Sequence, residues 1–133
     1  MHIWLNYEPK NWNSYINAER TNKFMANSMK QADKNYVVTK CKSLEYKGSY
    51  PIQLIIRPHY SSKRQDLDNY RYKGLIDGLV SAGVIKNDNL NCIERIVLDP
   101  IFDTKGGVDI YILANAGEPI IPFYEEEEES EVK

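Results

Sequence analysis

Residues 63–69 read Lys-Arg-Gln-Asp-Leu-Asp-Asn, and Lys73, Asp77 and Asn87-Asp88 follow within twenty residues. Asp66 and Asp68 are separated by one residue, so in extended backbone their side chains point to the same side. Close carboxylates repel one another unless a cation neutralises them. Hard oxygen ligands with no neighbouring cysteine or histidine cluster select Mg2+, or Mn2+ in its place, over zinc. Asp88 is a third acid that reaches the pair only if the chain doubles back after an intervening helix. The turn-rich segment Gly83-Val84-Ile85-Lys86-Asn87 permits that.

Each of these residues also has a plainer use. An acid before a helix is often an N-cap, and Asp68 is placed to cap the segment that follows. Lys73 alone reads as a solvated helix lysine, and Asp77 as its i,i+4 partner. Asp88 reads as a turn residue between Asn87 and Asn89.

The elements that must position these groups follow from periodicity. Residues 2–7 read as a short strand ended by Pro9. Ser14 to about Lys34 is helical, with Ser14 as N-cap and Tyr15, Ala18, Phe24, Ala26 and Met29 on its apolar side. Val37 to Thr39 reads as a brief strand and 42–49 as a polar loop. Ile52 to Tyr60 is the clearest strand, a β-favouring run consistent with burial on both faces. A basic loop, 61–65, leads to a second helix from Asp68 to about Ala82, striped by Tyr72, Leu75, Ile76, Leu79 and Val80 and stopped at Gly83. Strands at 93–98 and 108–113 flank a turn at Lys105-Gly106-Gly107. This is a small α/β (α+β) domain with a mixed β-sheet and two main helices.

The 133 residues suit one compact domain. Its formal net charge of −2 hides an asymmetry. Residues 125–133 carry six glutamates and one lysine, and the rest of the chain holds 16 basic against 13 acidic residues. The body is thus mildly basic, and residues 117–133 read as an acidic, disordered tail. Cys41 and Cys92 lack metal-ligand spacing and read as buried free thiols in a reducing compartment. No apolar run is long enough to span a bilayer, and no signal pattern opens the chain, so a cytoplasmic protein without membrane partners is expected.

Taken together, Asp66-Leu67-Asp68-Asn69, a helical lysine, Asp77-Gly78-Leu79, Ala82-Gly83-Val84, an acid, and two strands joined by Lys105-Gly106-Gly107 closely resemble the RusA-like Holliday junction resolvase family. The resemblance spans roughly residues 3–113. It implies a homodimeric nuclease domain, residues 1–116, that binds four-way DNA junctions and makes paired nicks with a divalent metal. It assigns Asp66, Asp68 and Asp88 to the metal and Lys73 to catalysis, with Asp77 supporting them. Carboxylate-held Mg2+ suits phosphodiester hydrolysis, because it activates water and stabilises charge at phosphorus, while Lys73 stabilises developing charge or orients the water. Lys10, Arg20, Lys23, Arg57, Lys63, Arg64 and Arg71 are the expected DNA contacts. His59 is at best a DNA or supporting contact, and His2 has no expected role.

Two departures from the family pattern bear on activity, and they raise an alternative: a branched-DNA-binding recombination accessory protein of weak or lost catalysis. Asn87 stands where the family often has an acid. Three residues, rather than two, separate Asn69 from Lys73. On a regular helix, groups five positions apart lie about 140° apart, against about 40° at four. Lys73 can therefore serve the same site as Asp68 only if the helix starts late or carries a π-bulge.

Overall fold

The computed structural model describes residues 1–115 and 129–130. Its elements are β1 (His2–Leu5), α1 (Trp12–Thr21), α2 (Lys23–Cys41), β2 (Ile52–Tyr60), a single 3₁₀ turn (Leu67–Asn69), α3 (Lys73–Ser81), β3 (Ile93–Leu98), β4 (Ile101–Phe102), β5 (Val108–Ala114) and β6 (Glu129–Ser130). The sheet runs β3-β2-β5-β1-β6, with β4 beside the end of β2. β2 pairs in parallel with β3 and antiparallel with β5, and β5 pairs antiparallel with β1, so the sheet is mixed as expected. The expected tail, 117–133, lies outside the described residues except for β6, which pairs in parallel with β1 at His2–Ile3.

β2 occupies the centre. Ile52, Leu54 and Ile56 point into the main core with Ile3, Leu5, Val108, Ile110 and Ile112 from its neighbours, against Val37, Cys41, Leu75, Ile76 and Leu79 of the helices. Ile55 points the other way, into a smaller cluster with Tyr111 and Leu113. Burial on both faces explains why this run of β-favouring residues does not alternate with polar ones.

The helical part differs from the expectation in three places. Among the described residues there are three helices, not two, because the segment from Ser14 is split at Asn22. Asn22 adopts extended backbone, and its Oδ1 accepts from the N–H groups of Phe24 and Met25 at 2.9 and 3.4 Å, capping a new helix. The break resets the helical phase, which leaves Phe24, expected on the apolar side, 79% exposed. The N-cap of α1 is Asn11, whose Oδ1 accepts from the backbone N–H of Ser14; Ser14 is not the cap.

Val37 to Thr39 is helical rather than a strand. Packing overrides the β-branched propensity: Val37 is fully buried. It seats against Gly78, where an added Cβ would lie 2.5 Å from Val37 Cβ. Gly78→Ala is therefore expected to force α2 and α3 apart and destabilise the protein by about 1–3 kcal/mol, measured by urea denaturation. An unchanged midpoint would contradict this close approach.

Candidate active site

The chain leaves β2 at Tyr60 and reaches Asp66 in extended backbone. The 3₁₀ turn that follows is closed by Asn69 N–H to Asp66 O and Tyr70 N–H to Leu67 O, both 3.1 Å. Tyr70 returns to extended backbone, and α3 begins only at Lys73, five residues after Asp68. The helix thus starts late, so no regular helical phase relates Asp68 to Lys73.

Capping does not account for the two acids. Asp66 precedes the 3₁₀ turn without a side-chain capping bond, and Asp68 lies within it. The residue before α3 is Tyr72, also without a side-chain cap. Asp66 and Asp68 are both exposed, and among the described residues neither carboxylate has a hydrogen-bond or ion-pair partner.

The chain doubles back after α3, but to the side of Lys73 and not to the Asp66–Asp68 pair. Gly83, at φ +80°, takes the left-handed conformation that ends the helix, and its N–H reaches Val80 O at 3.0 Å. Val84 and Ile85 are buried, and Asp88 comes to rest beside α3. There Asp88, Lys73 and Asp77 border one recess of about 240 Å³ with Tyr72, Ile76, Ile93 and Ile96. Lys73 Nζ is 3.5 Å from Asp77 Oδ1. Asn87 uses its Oδ1 to accept the Asp88 N–H at 2.7 Å.

Asp66 faces a different space, a cleft of about 460 Å³ between the 58–70 segment and the 8–14 segment, shared with Glu8, Lys10, His59 and Arg64. The predicted site is therefore divided. Asp88, Lys73 and Asp77 are gathered on one side, Asp66 stands in the cleft, and Asp68 lies in the turn and borders neither space. Among the described residues no three Asp, Glu, His or Cys side chains converge as a metal-holding group. The carboxylates fit a hard cation by donor type but not by their arrangement.

The expected DNA contacts also separate. Lys10, Arg20, Lys23, Lys63 and Arg64 are exposed, and Lys63 Nζ sits 5.1 Å above the Phe102 ring. Arg57 is half-buried and paired with Asp99 at 3.3 Å. Arg71 requires correction: it is 4% exposed. Its Nη2 donates to Asp33 at 2.9 Å and its Nη1 to Lys10 O at 2.7 Å. Asp33 also accepts from Tyr7 Oη at 2.6 Å. Burial pushes the Asp33 carboxyl above its ordinary value, against the lowering effect of Tyr7 and Arg71. Arg71 thus ties the start of α3 to α2 and to the 8–14 segment instead of facing phosphate.

Both histidines, given no defined role by the sequence, are tied into one network. Asp109, on β5, accepts from His2 Nε2 and His59 Nε2, each at 2.6 Å. His59 Nδ1 meets both oxygens of Asp103, at 2.9 and 3.0 Å. A carboxylate thus faces each ring nitrogen of His59. Burial pushes the Asp109 carboxyl up, but the hydrogen bonds from His2 and His59 outweigh it and hold it below the ordinary value. The His59 hydrogen bond, then the Lys105 N–H, lowers Asp103. A depressed carboxyl contributes stability above its unfolded value and loses it as pH falls through the folded one. Urea midpoints are thus expected to drop on acidification below about pH 4, and Asp109→Asn to flatten that drop. Parallel wild-type and variant curves would contradict the network's role.

Among the described residues no helix is long and apolar enough to cross a membrane. No protein-family model matches the chain, and no curated protein matches it, so the functional reading rests on the chain's own residues.

Proposed function

We propose that this protein is a metal-dependent endodeoxyribonuclease of the RusA-like type, acting in the cytoplasm as a homodimer that resolves four-way DNA junctions by paired phosphodiester hydrolysis. The observation that carries the reading is the state of Asp66 and Asp68. Two exposed carboxylates on the segment that follows the buried central strand do no capping and, among the described residues, are paired with nothing, and Lys10 and Arg64 share the cleft with Asp66. Acids two residues apart with no structural use suit a cation.

In this reading Asp66, Asp68 and Asp88 would hold Mg2+ or Mn2+ only if the segment after β2 moved to bring them together, since they do not converge among the described residues, and such an ion would supply an activated water and charge neutralisation at phosphorus. Lys73, at the start of α3 beside Asp88, stabilises developing negative charge, and Asp77 orients the Lys73 amine. Lys10, Arg20, Lys23, Lys63 and Arg64 supply phosphate contacts that do not depend on sequence.

A second reading has its own observation. The three acids do not converge among the described residues, and Asn87 is occupied by the backbone, as a branched-DNA-binding protein without catalysis would allow. Incubating a synthetic four-way junction with the protein and Mg2+ separates the two. Symmetric nicks support the nuclease, and binding without nicks supports the accessory protein.

A further inference from the structure

β2 pairs with one side of β3, and among the described residues no strand pairs with the other side. β4 continues the same edge in register: Leu98 pairs with Ile56, and Ile101 with His59. Such an edge offers a row of unpaired N–H and C=O groups to any strand that fits it. The bonds to β2 fix which groups face outward. Asp99 N–H donates to Ile56 O at 3.0 Å. Alternate residues of a strand turn their polar groups to the same side, so Val97 also addresses β2, while Ile96 and Leu98 address the open edge. The Ile96 side chain lies on the helix face, because its partner Leu54 points into the main core. There it borders the recess of Lys73, Asp77 and Asp88, and it is 41% exposed.

The edge is self-complementary about Ile96. Leu90 and Phe102, 79% and 51% exposed, each lie six residues from it. In an antiparallel pair about a two-fold axis normal to the sheet, residues that meet share a face, so one residue of each strand must meet its own copy. Centring the pair on Glu94 or Arg95 sets a like charge against itself, which is unfavourable. Centring it on Val97 or Leu98 sets Pro100, which has no N–H to give, against Glu94 or Ile96. Centring it on Ile96 avoids both faults. Ile96 then exchanges two backbone hydrogen bonds with the partner's Ile96, and Leu98 meets the partner's Glu94. Arg95 lies beside the partner's Val97 and diagonal to the partner's Asp99, within reach of that carboxylate. Phe102 comes to the end of the interface that carries the partner's Leu90.

We propose that β3 pairs antiparallel with β3 of a second copy of this chain, centred on Ile96, so that the two sheets become one. The pairing deepens the homodimer of the nuclease reading and rests on that reading for its use. A two-fold axis normal to a continuous sheet keeps both helix layers on one side. Both Lys73–Asp77–Asp88 recesses, each beside an Ile96, therefore flank the axis on the same side of the dimer, as paired nicking of one junction requires.

The test joins sedimentation with amide hydrogen exchange of the labelled full chain, at low and high protein concentration. The Val97 and Asp99 amides, bonded to β2, are expected to be protected at both. The Ile96 and Leu98 amides are expected to gain protection only as a dimer of twice the chain mass forms. Ile96→Lys sets two ammonium groups across the axis and is expected to weaken the dimer about 10-fold or more. Its urea midpoint shows whether it folds; if it does not, the exchange pattern of the unaltered chain decides alone. A chain that stays monomeric at every concentration overturns the proposal. So does a dimer in which Ile96 and Leu98 exchange as freely as in the monomer, or one that a folded Ile96→Lys leaves intact. Edge pairing in a protein that never nicks a junction would sustain this inference and defeat the nuclease reading. Symmetric nicking by a protein whose β3 edge stays open would do the reverse.

Discussion

Asp66→Asn and Asp68→Asn, made separately, are each expected to lower junction cleavage by about 100-fold or more while junction affinity stays within about twofold. The substitution keeps the side chain's size and removes one negative charge. Neither carboxylate caps a helix or pairs with another group among the described residues, so little structure depends on it. Lys10 and Arg64, the cations that line the cleft, are untouched. A loss of cleavage with retained binding and an unchanged urea midpoint is the signature of a metal acid. A variant that cleaves at the wild-type rate would remove that residue from the mechanism, and one that unfolds would show the plainer structural use.

The second large effect concerns stability. Asp33→Ala is expected to cost about 3–5 kcal/mol, because it strands the Arg71 guanidinium in the interior without its carboxylate. For a chain of this size that corresponds to a fall in Tm of roughly 10–20 °C. The consequence reaches the site. Arg71 lies between the 3₁₀ turn that carries Asp68 and the start of α3, and it also holds Lys10 O, so the pair braces both walls of the cleft. A calorimetric scan of Asp33→Ala with Tm within about 2 °C of wild type would contradict the importance of this buried pair.

Asp33 shows what was legible in the sequence and what was not. Asp33, Val37 and Cys41 recur every four residues and are all buried on α2, so an acid lying in an apolar stripe was there to be read. Reading Val37 to Thr39 as a strand broke that register and hid both the acid and its partner. The error came from β-branched propensity, which burial against Gly78 overrides. Arg71 likewise looked like one more surface cation, because charge alone does not tell which guanidinium is enclosed. The strands were better marked. Ile52–Tyr60 and Ile93–Leu98 match the expected bounds, and β5 runs one residue beyond its own; β2 and β5 are buried and carry continuous β-favouring runs, whereas β3 is a partly buried edge strand.

The site was legible in its parts. The extra residue before Lys73 lets it share a site with Asp68 only if the helix starts late or is bulged, and α3 does begin late. The doubling back that brings Asp88 beside Lys73 was readable from Gly83 and the turn residues after it. The His2–Asp109–His59–Asp103 network was not found, because it joins residues from β1, β2, β5 and the turn after β4 that meet only through sheet register. The available signal was Asp109, an acid within an otherwise apolar strand. The division between the Asp66 cleft and the Asp88 recess depends on how the 61–72 segment is draped, which spacing alone does not specify.

The central claim is tested most directly by strand-specific nicking of a synthetic four-way junction by the purified protein, with and without Mg2+. The expected result is a pair of symmetric nicks that requires the metal, with linear duplex left intact under the same conditions. Junction binding with no nick in either Mg2+ or Mn2+ would contradict it.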